Sequence, residues 1–355
     1  TILFYLAILF FIIGFNFRDV MVGNWYQQFM PDLGGASITD ITFSDSLTGI
    51  AITGYRTSND SAYILRTTNG GDNWQINTVY NYPFYRVQFL NQDTGYVLSF
   101  QKLFKTTNKG VTWQVLNTSL STAFVDMWVL SVDTIWCVAT ESLSGGVYRT
   151  TNGGLNWQLQ FYNGSDNPDK IYMYDGNMGF CGQGIQLFRT TNSGVNWNLV
   201  PGENSFTDMH FVDSLTGWKC IGDADSIKKS TNGGISWFKQ LLPTQGGFFS
   251  LSKILKLSVI NKDTLWGVGA RAQLSFANFR GLIYRTTDGG TTWGYQLPDT
   301  NIRVGRYFHI AFVNKLTGWC YGISQGGVHT LNGGDTTFYT GIVQTGSNVP
   351  ASFEL

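Results

Sequence analysis

Charge is scarce in this sequence. Of 355 residues, 13% are Asp, Glu, Lys or Arg, and 23 basic side chains balance 23 acidic ones. Soluble domains usually carry roughly 25% charged residues. A chain with no basic excess lacks the electrostatic footprint of a nucleic-acid binder. Histidine is scarcer still: His210, His309 and His329 are too few for a His-based metal centre. The four cysteines, Cys137, Cys181, Cys220 and Cys320, have neither CxxC nor CxxxH spacing, which argues against zinc. No P-loop, dinucleotide fingerprint or nucleophile elbow occurs, so no cofactor is expected.

Glycine (42 residues) and aromatics (15%) are plentiful, which suits many short strands, tight turns and an aromatic filling. Residues 2–17 form a nearly unbroken apolar run. At about 16 residues it is short for a membrane span and fits the h-region of an export signal. An uncleaved anchor and a buried strand are the alternatives. On the export reading the protein is secreted or sits at the cell surface, and meets a membrane only through residues 1–23.

A repeat fills the rest. Its marker is TTNGGDNW (Thr67 to Trp74), followed by TTNKGVTW, TTNGGLNW, TTNSGVNW, STNGGISW, TTDGGTTW and a degenerate TLNGGDTTF ending at Phe338. Successive markers begin 39, 44, 40, 40, 56 and 44 residues apart. Before each lie two apolar or alternating runs joined by a tight turn, as in DITFSDSLTGIAITG from Asp40. One unit reads as strand A (41–44), a turn (45–49), strand B (50–54), a loop, strand C, the marker turn, and strand D after the Trp. Four short strands per period of about 40 residues is the spacing of a propeller blade. The expectation is an all-β, seven-bladed β-propeller of four-stranded antiparallel blades over 24–340. Asn24-Trp25-Tyr26-Gln27 resembles a strand D without its marker, and would close the ring by completing the last blade.

The marker has a physical logic. Its third residue, Asn or Asp, can accept hydrogen bonds from backbone amides in a turn, and the Gly two places on can take positive φ. The Trp then covers apolar surface between blades. Six of twelve tryptophans hold this position and Trp136, Trp218, Trp266 and Trp319 share a column in strand B, so these aromatics read as framework.

The markers resemble the Asp-box (BNR) repeats of sialidases, sortilin-type receptors and xyloglucan-active glycosidases. With D-x-x-F-x-D-x-x-T-G-W before the box, the pattern is most similar to photosystem II assembly and stability factor-like propellers. The resemblance covers about residues 25–340 and implies the fold; enzymes, receptors and assembly factors all share the box. Only Asp288 keeps the acid of the box, the other six having Asn, so no metal binding by the boxes is expected. The tail, 341–355, resembles the lead-in to a type IX secretion sorting domain; a disordered tail is the alternative.

Alignment on the A–B turn puts Asp40, Arg86, Asp126, Lys170, Asp208, Lys256 and His309 in one column, alternating in sign round the ring and ending on the side chain that titrates nearest neutral pH. The resemblance implies that strand A is innermost, so these residues would circle one channel mouth, either as an inter-blade ion-pair ring or as a polar site. Cys137, Cys181 and Cys320 share another column and Cys220 is one place on. Equivalent positions in different blades exceed disulfide reach, so free buried thiols are expected.

The A–B and C–D turns share one face, the B–C and D–A loops the other. Three insertions, 243–253, 270–281 and 298–308, fall on the second face in neighbouring units. They carry Phe248, Phe249, Arg271, Phe276, Phe279, Arg280, Arg303, Arg306 and Tyr307. Variable loops on a rigid scaffold concentrate binding, and Arg with aromatics makes interface anchors. The alternative is that the insertions pack on one another.

No catalytic residues stand out. A sialidase's F/Y-R-I-P segment is missing, and Arg66, Arg149, Arg189 and Arg285 repeat with strand C rather than cluster. Acids on the insertion face (Asp60, Glu141, Asp166, Asp169, Glu203, Asp223, Asp225, Asp299) form no evident pair of the kind glycoside hydrolysis needs. The expectation is a monomeric, non-catalytic binding or scaffold module for a protein or glycan, the alternative being a sialidase- or xyloglucanase-like glycoside hydrolase.

Overall fold

The computed structural model describes residues 25–54, 61–100, 102–116, 123–140, 145–162, 164, 167–222, 227–243, 249–251, 253–275, 278–299, 301–334 and 338–339. The apolar segment 1–23, the tail 341–355, and Phe248 and Phe276 lie outside these residues. Seven antiparallel sheets follow one another along the chain, and they form a seven-bladed β-propeller. Blade 1 is Ile38–Phe43, Gly49–Thr53, Ala62–Thr67 and Gln75–Tyr80, paired in that order. Strand B (Gly49–Thr53) is buried throughout because neighbouring blades cover both of its faces, while strand D (Gln75–Tyr80) is mostly exposed. Sheets covered on both sides read as apolar runs, which is why charge is scarce.

Strand A starts earlier than the sequence suggests, at Ile38, because a β-bulge separates Ile38 from Asp40. The same irregularity recurs at Phe84/Arg86, Phe124/Asp126 and Pro168/Lys170. Bulges re-aim side chains, and in these four blades the residue after the bulge is the charged member of the column.

The box works as its chemistry predicts. In blade 1 the Thr67 hydroxyl accepts from the Gly71 amide at 3.0 Å and the Asn69 side-chain oxygen accepts from the Asn73 amide at 2.9 Å. The fifth box residue has positive φ throughout, from Gly71 (87°) to Gly334 (63°). Where the fourth is not glycine, Lys109 and Ser193 still adopt φ near 60°.

Blades are joined by a repeated stack. Phe43 of strand A lies on Trp319 of the preceding blade with ring centroids 3.6 Å apart, and Phe312 lies on Trp266 at 3.8 Å. While Trp319 is backed by the His329 ring (4.8 Å), behind four other strand-B aromatics sits a strand-C cation, as with Arg149 on Trp136 (4.9 Å) and Lys229 on Trp218 (5.0 Å). That cation donates to the carbonyl of the fourth residue in the next box: Arg66 to Lys109 at 2.8 Å, Arg189 to Gly233 at 2.7 Å, Lys229 to Gly289 at 2.9 Å. The repeating arginines are inter-blade ties.

The ring closes through Tyr26–Phe29, which pairs with Gly326–Thr330 of blade 7. Trp25 comes with it. Its indole donates to Gln296 at 3.2 Å, as Trp293 donates to Gln240 at 3.3 Å. A Cβ on box residue Gly334 would run into Trp25, just as one on Gly234 would sit 3.2 Å from its own Trp237. The seventh box is therefore split, its turn coming from one end of the chain and its tryptophan from the other. This is why Phe338 can stand where a Trp is expected. Phe338–Tyr339 instead adds a fifth strand to the outer edge of blade 6, beside Gly294–Gln296.

Blade 6 also corrects one expectation. The insertion at 270–281 is not a loop but the extension of a hairpin, Leu265–Ser275 with Asn278–Thr286, to which Phe249–Leu251 is added.

Candidate functional site: the insertion cleft and the channel mouth

The end of the blade 6 hairpin, the 301–308 segment and the closing strand enclose an open cleft of about 810 Å³. Three arginines line it, Arg271, Arg303 and Arg306, and among the described residues no Asp, Glu or Lys does. Arg271 lies over the Phe279 ring at 4.2 Å and Arg306 over Phe308 at 4.6 Å, so two of the guanidinium groups rest on aromatic rings. Arg306 is fixed further by donating from Nε to the Gly269 carbonyl at 2.5 Å, and its buried Nη2 meets no hydrogen-bond partner among the described residues. Burial and the nearby Arg271 charge lower its pKa. Arg303 is exposed. Phe29 is 65% exposed at the rim.

Other insertion residues serve the wall. Arg280 is buried and donates from Nη2 to the Pro298 carbonyl at 3.2 Å and to the Asp299 carbonyl. Tyr307 is buried against the hairpin with Ile302 and Val304 in the blade 6–7 core. Phe249 contributes its backbone to the added strand. Arg280 and Tyr307 thus pack within the insertions, while Arg271, Arg303 and Arg306 line the cleft.

The charged column forms a network at the channel mouth. Arg86 lies 3.8 Å from both Asp40 and Asp126, and Lys256 reaches Asp40 at 3.2 Å. The acids also hold the following blade: Asp40 accepts from the Val87 amide (3.1 Å), Asp126 from Ile171 (3.1 Å) and Asp208 from Leu257 (2.8 Å). In each case the donor follows the next ring cation. Burial works to raise the Asp40 carboxyl, but Lys256, Arg86, His309 and the Val87 amide together hold it below the usual range. Burial also works against the Arg86 charge, yet Asp126, Asp40 and Asp208 outweigh it and raise its pKa. His309 does not titrate near neutral pH. Burial, resisted by Asp40, pushes it down to about 4, and its Nε2 lies 3.1 Å from the Ile38 carbonyl.

Two cavities meet at this network. One of about 270 Å³ opens at the mouth, lined by Lys170 and His309 among others, and one of about 200 Å³ lies on the other side; Asp40, Arg86 and Lys256 line both. All four cysteines are buried and free, and burial raises each thiol's pKa.

Of the insertion-face acids, Asp60, Glu141, Asp166, Asp223 and Asp225 lie outside the described residues. Glu203 is held by Lys219 at 3.0 Å and Lys228 at 2.9 Å. That triad was not anticipated, although Lys219, its buried member, is the charged exception in an otherwise uncharged strand-B column. Burial lowers Lys219 to about 8 against the pull of Glu203. Among the described residues, no three His, Cys, Asp or Glu side chains group as metal ligands would. Phe29 and Ile323 of the cleft also escaped the sequence, because neither lies in an insertion.

Fold and boxes define a BNR-like β-propeller. The profile of the photosynthesis system II assembly factor YCF48 family matches residues 21–166, fewer than half of the 355. Comparison with curated proteins returns no match. Among solved structures, YCF48 bound to D1 peptide is similar with a TM-score of 0.62 at 19% identity, covering 87% of this chain and 97% of that one. YCF48 from Cyanidioschyzon merolae gives 0.61 at 18%, covering 86% and 98%. The GH74 xyloglucanase from Xanthomonas campestris gives 0.61 at 13%, covering 88% of this chain and 54% of the enzyme. At these identities the likeness is one of fold.

Proposed function

We propose that this chain is an exported, monomeric, non-catalytic binding module that takes an anionic ligand in the insertion cleft. The observation that carries the reading is the cleft's lining: three arginines, two of them resting on phenylalanine rings, and no carboxylate among the described residues. Guanidinium groups recognise carboxylates in a bidentate geometry that lysine does not offer. A protein segment is the first class of ligand, since a propeller of similar fold is known bound to a peptide. The apolar run at 2–17 and the sorting-domain-like tail support export. Glycoside hydrolysis finds less support, because its two facing carboxylates have no counterpart among the described residues of the cleft lining.

The test is a peptide array and a glycan array probed with the intact protein and with Arg271→Ala, Arg303→Ala and Arg306→Ala variants. Retention of acidic peptides that each substitution weakens supports the reading. Unchanged retention in all three variants sinks it.

A further inference from the structure

The cleft and the channel mouth are not separate. Phe308 and Ile323 line both cavities, so one ridge of apolar surface divides the arginine cleft from the mouth. Beyond the ridge the ring cations differ in availability. Arg86 lies between Asp40 and Asp126, and Lys256 is engaged by Asp40. Lys170 lines the same cavity, and among the described residues no carboxylate lies within ion-pair distance of it. The Asp40–Arg86–Asp126 network lies across the channel beneath, so the mouth is the deep end of a site entered from the insertion face.

We propose that Lys170 is the second anchor of one continuous site for an acidic peptide. The cleft arginines hold one carboxylate, an apolar side chain lies over the Phe308–Ile323 ridge, and Lys170 receives a second carboxylate. A peptide fits better than a glycan because the ridge between the two charged points is Phe308 and Ile323, and among the described residues no Trp or Tyr lines the arginine cleft to stack on a sugar ring, Tyr85 lying beyond the ridge in the mouth. The proposal rests on the reading of the cleft given above and adds to it a spacing requirement and a residue 130 or more positions away from the arginines of the 301–308 segment.

The test uses fluorescent peptides with two Glu residues separated by one to six residues that include one Leu, beside a control with a single Glu. Affinities are read by anisotropy with the full chain. The expected result is that one spacing binds about tenfold more tightly than the control, the scale of about 1.4 kcal/mol. Lys170→Gln removes that gain and leaves the single-Glu affinity unchanged, while Lys170→Arg keeps it. If no spacing gives a gain, or if the gain survives Lys170→Gln, the proposal is overturned. A Lys170-dependent gain with oligogalacturonate but not with peptides overturns the choice of ligand class. If the single-Glu control itself ignores Arg303→Ala and Arg271→Ala, the reading of the cleft fails instead.

Discussion

Replacing Trp25 by alanine removes the side chain that completes the seventh box. The indole is 2% exposed, meets Phe312 edge-on with ring centroids 6.1 Å apart, and donates to Gln296, which is itself fully buried. Truncating a buried tryptophan costs about 3–5 kcal/mol, and the lost hydrogen bond to Gln296 adds about 1 kcal/mol. At about 2–4 °C per kcal/mol for larger domains, Tm should fall by at least about 8 °C. Calorimetry measures this, with Trp237→Ala as the comparison, since Trp237 is similarly buried but belongs to an unbroken box and donates within it, to Gly234. Hydrogen exchange separates the two variants. In Trp25→Ala the amides of Gly326–Thr330, which pair with the closing strand, lose protection before those of blade 3; in Trp237→Ala they do not. A Tm within about 2 °C of the native protein, or equal protection in both variants, would refute the split box.

Three further outcomes follow from the interior. His309 has a folded pKa near 4 against 6.5 for the free side chain; the unfolded chain binds the proton first, so stability falls as pH drops from about 6.5 to 4, by on the order of 3 kcal/mol. His309→Gln should flatten that limb of a Tm-against-pH curve, and an unchanged curve contradicts the assignment. Asp126→Asn leaves Arg86 paired with Asp40 alone and should cost about 1–3 kcal/mol in chemical denaturation; no measurable loss would show the network to be dispensable. The four thiols should resist iodoacetamide in the native protein and all react in guanidinium, read by mass spectrometry, because each is buried with a raised pKa.

The repeat made the scaffold legible. Once the boxes are in register, the stacked tryptophans, the strand-C cations, the thiols and the alternating column all become positions in a lattice, and the structure places them as such. What the register does not carry is anything made by one blade alone or by both ends of the chain. The bulge before Asp40 has no residue signature, since Thr39 is an ordinary strand residue. The hairpin 265–286 reads as a loop because its extension leaves the periodic pattern. Trp25 joins the seventh box across some 300 residues, and Phe29 and Ile323 reach the cleft only because the ring is closed. Arg280 and Tyr307 looked like surface anchors by composition, whereas the hairpin and the 301–308 segment bury them.

The central claim is that ligand binds on the insertion face and not on the box face. It is tested most directly by site-specific photo-cross-linking, with p-benzoylphenylalanine placed in turn at Phe29, exposed in the cleft, and at Leu155, exposed in a box turn. Incubated with the acidic peptides retained on the array, the protein should cross-link from position 29 and not from position 155. Cross-links from position 155 alone would contradict the account.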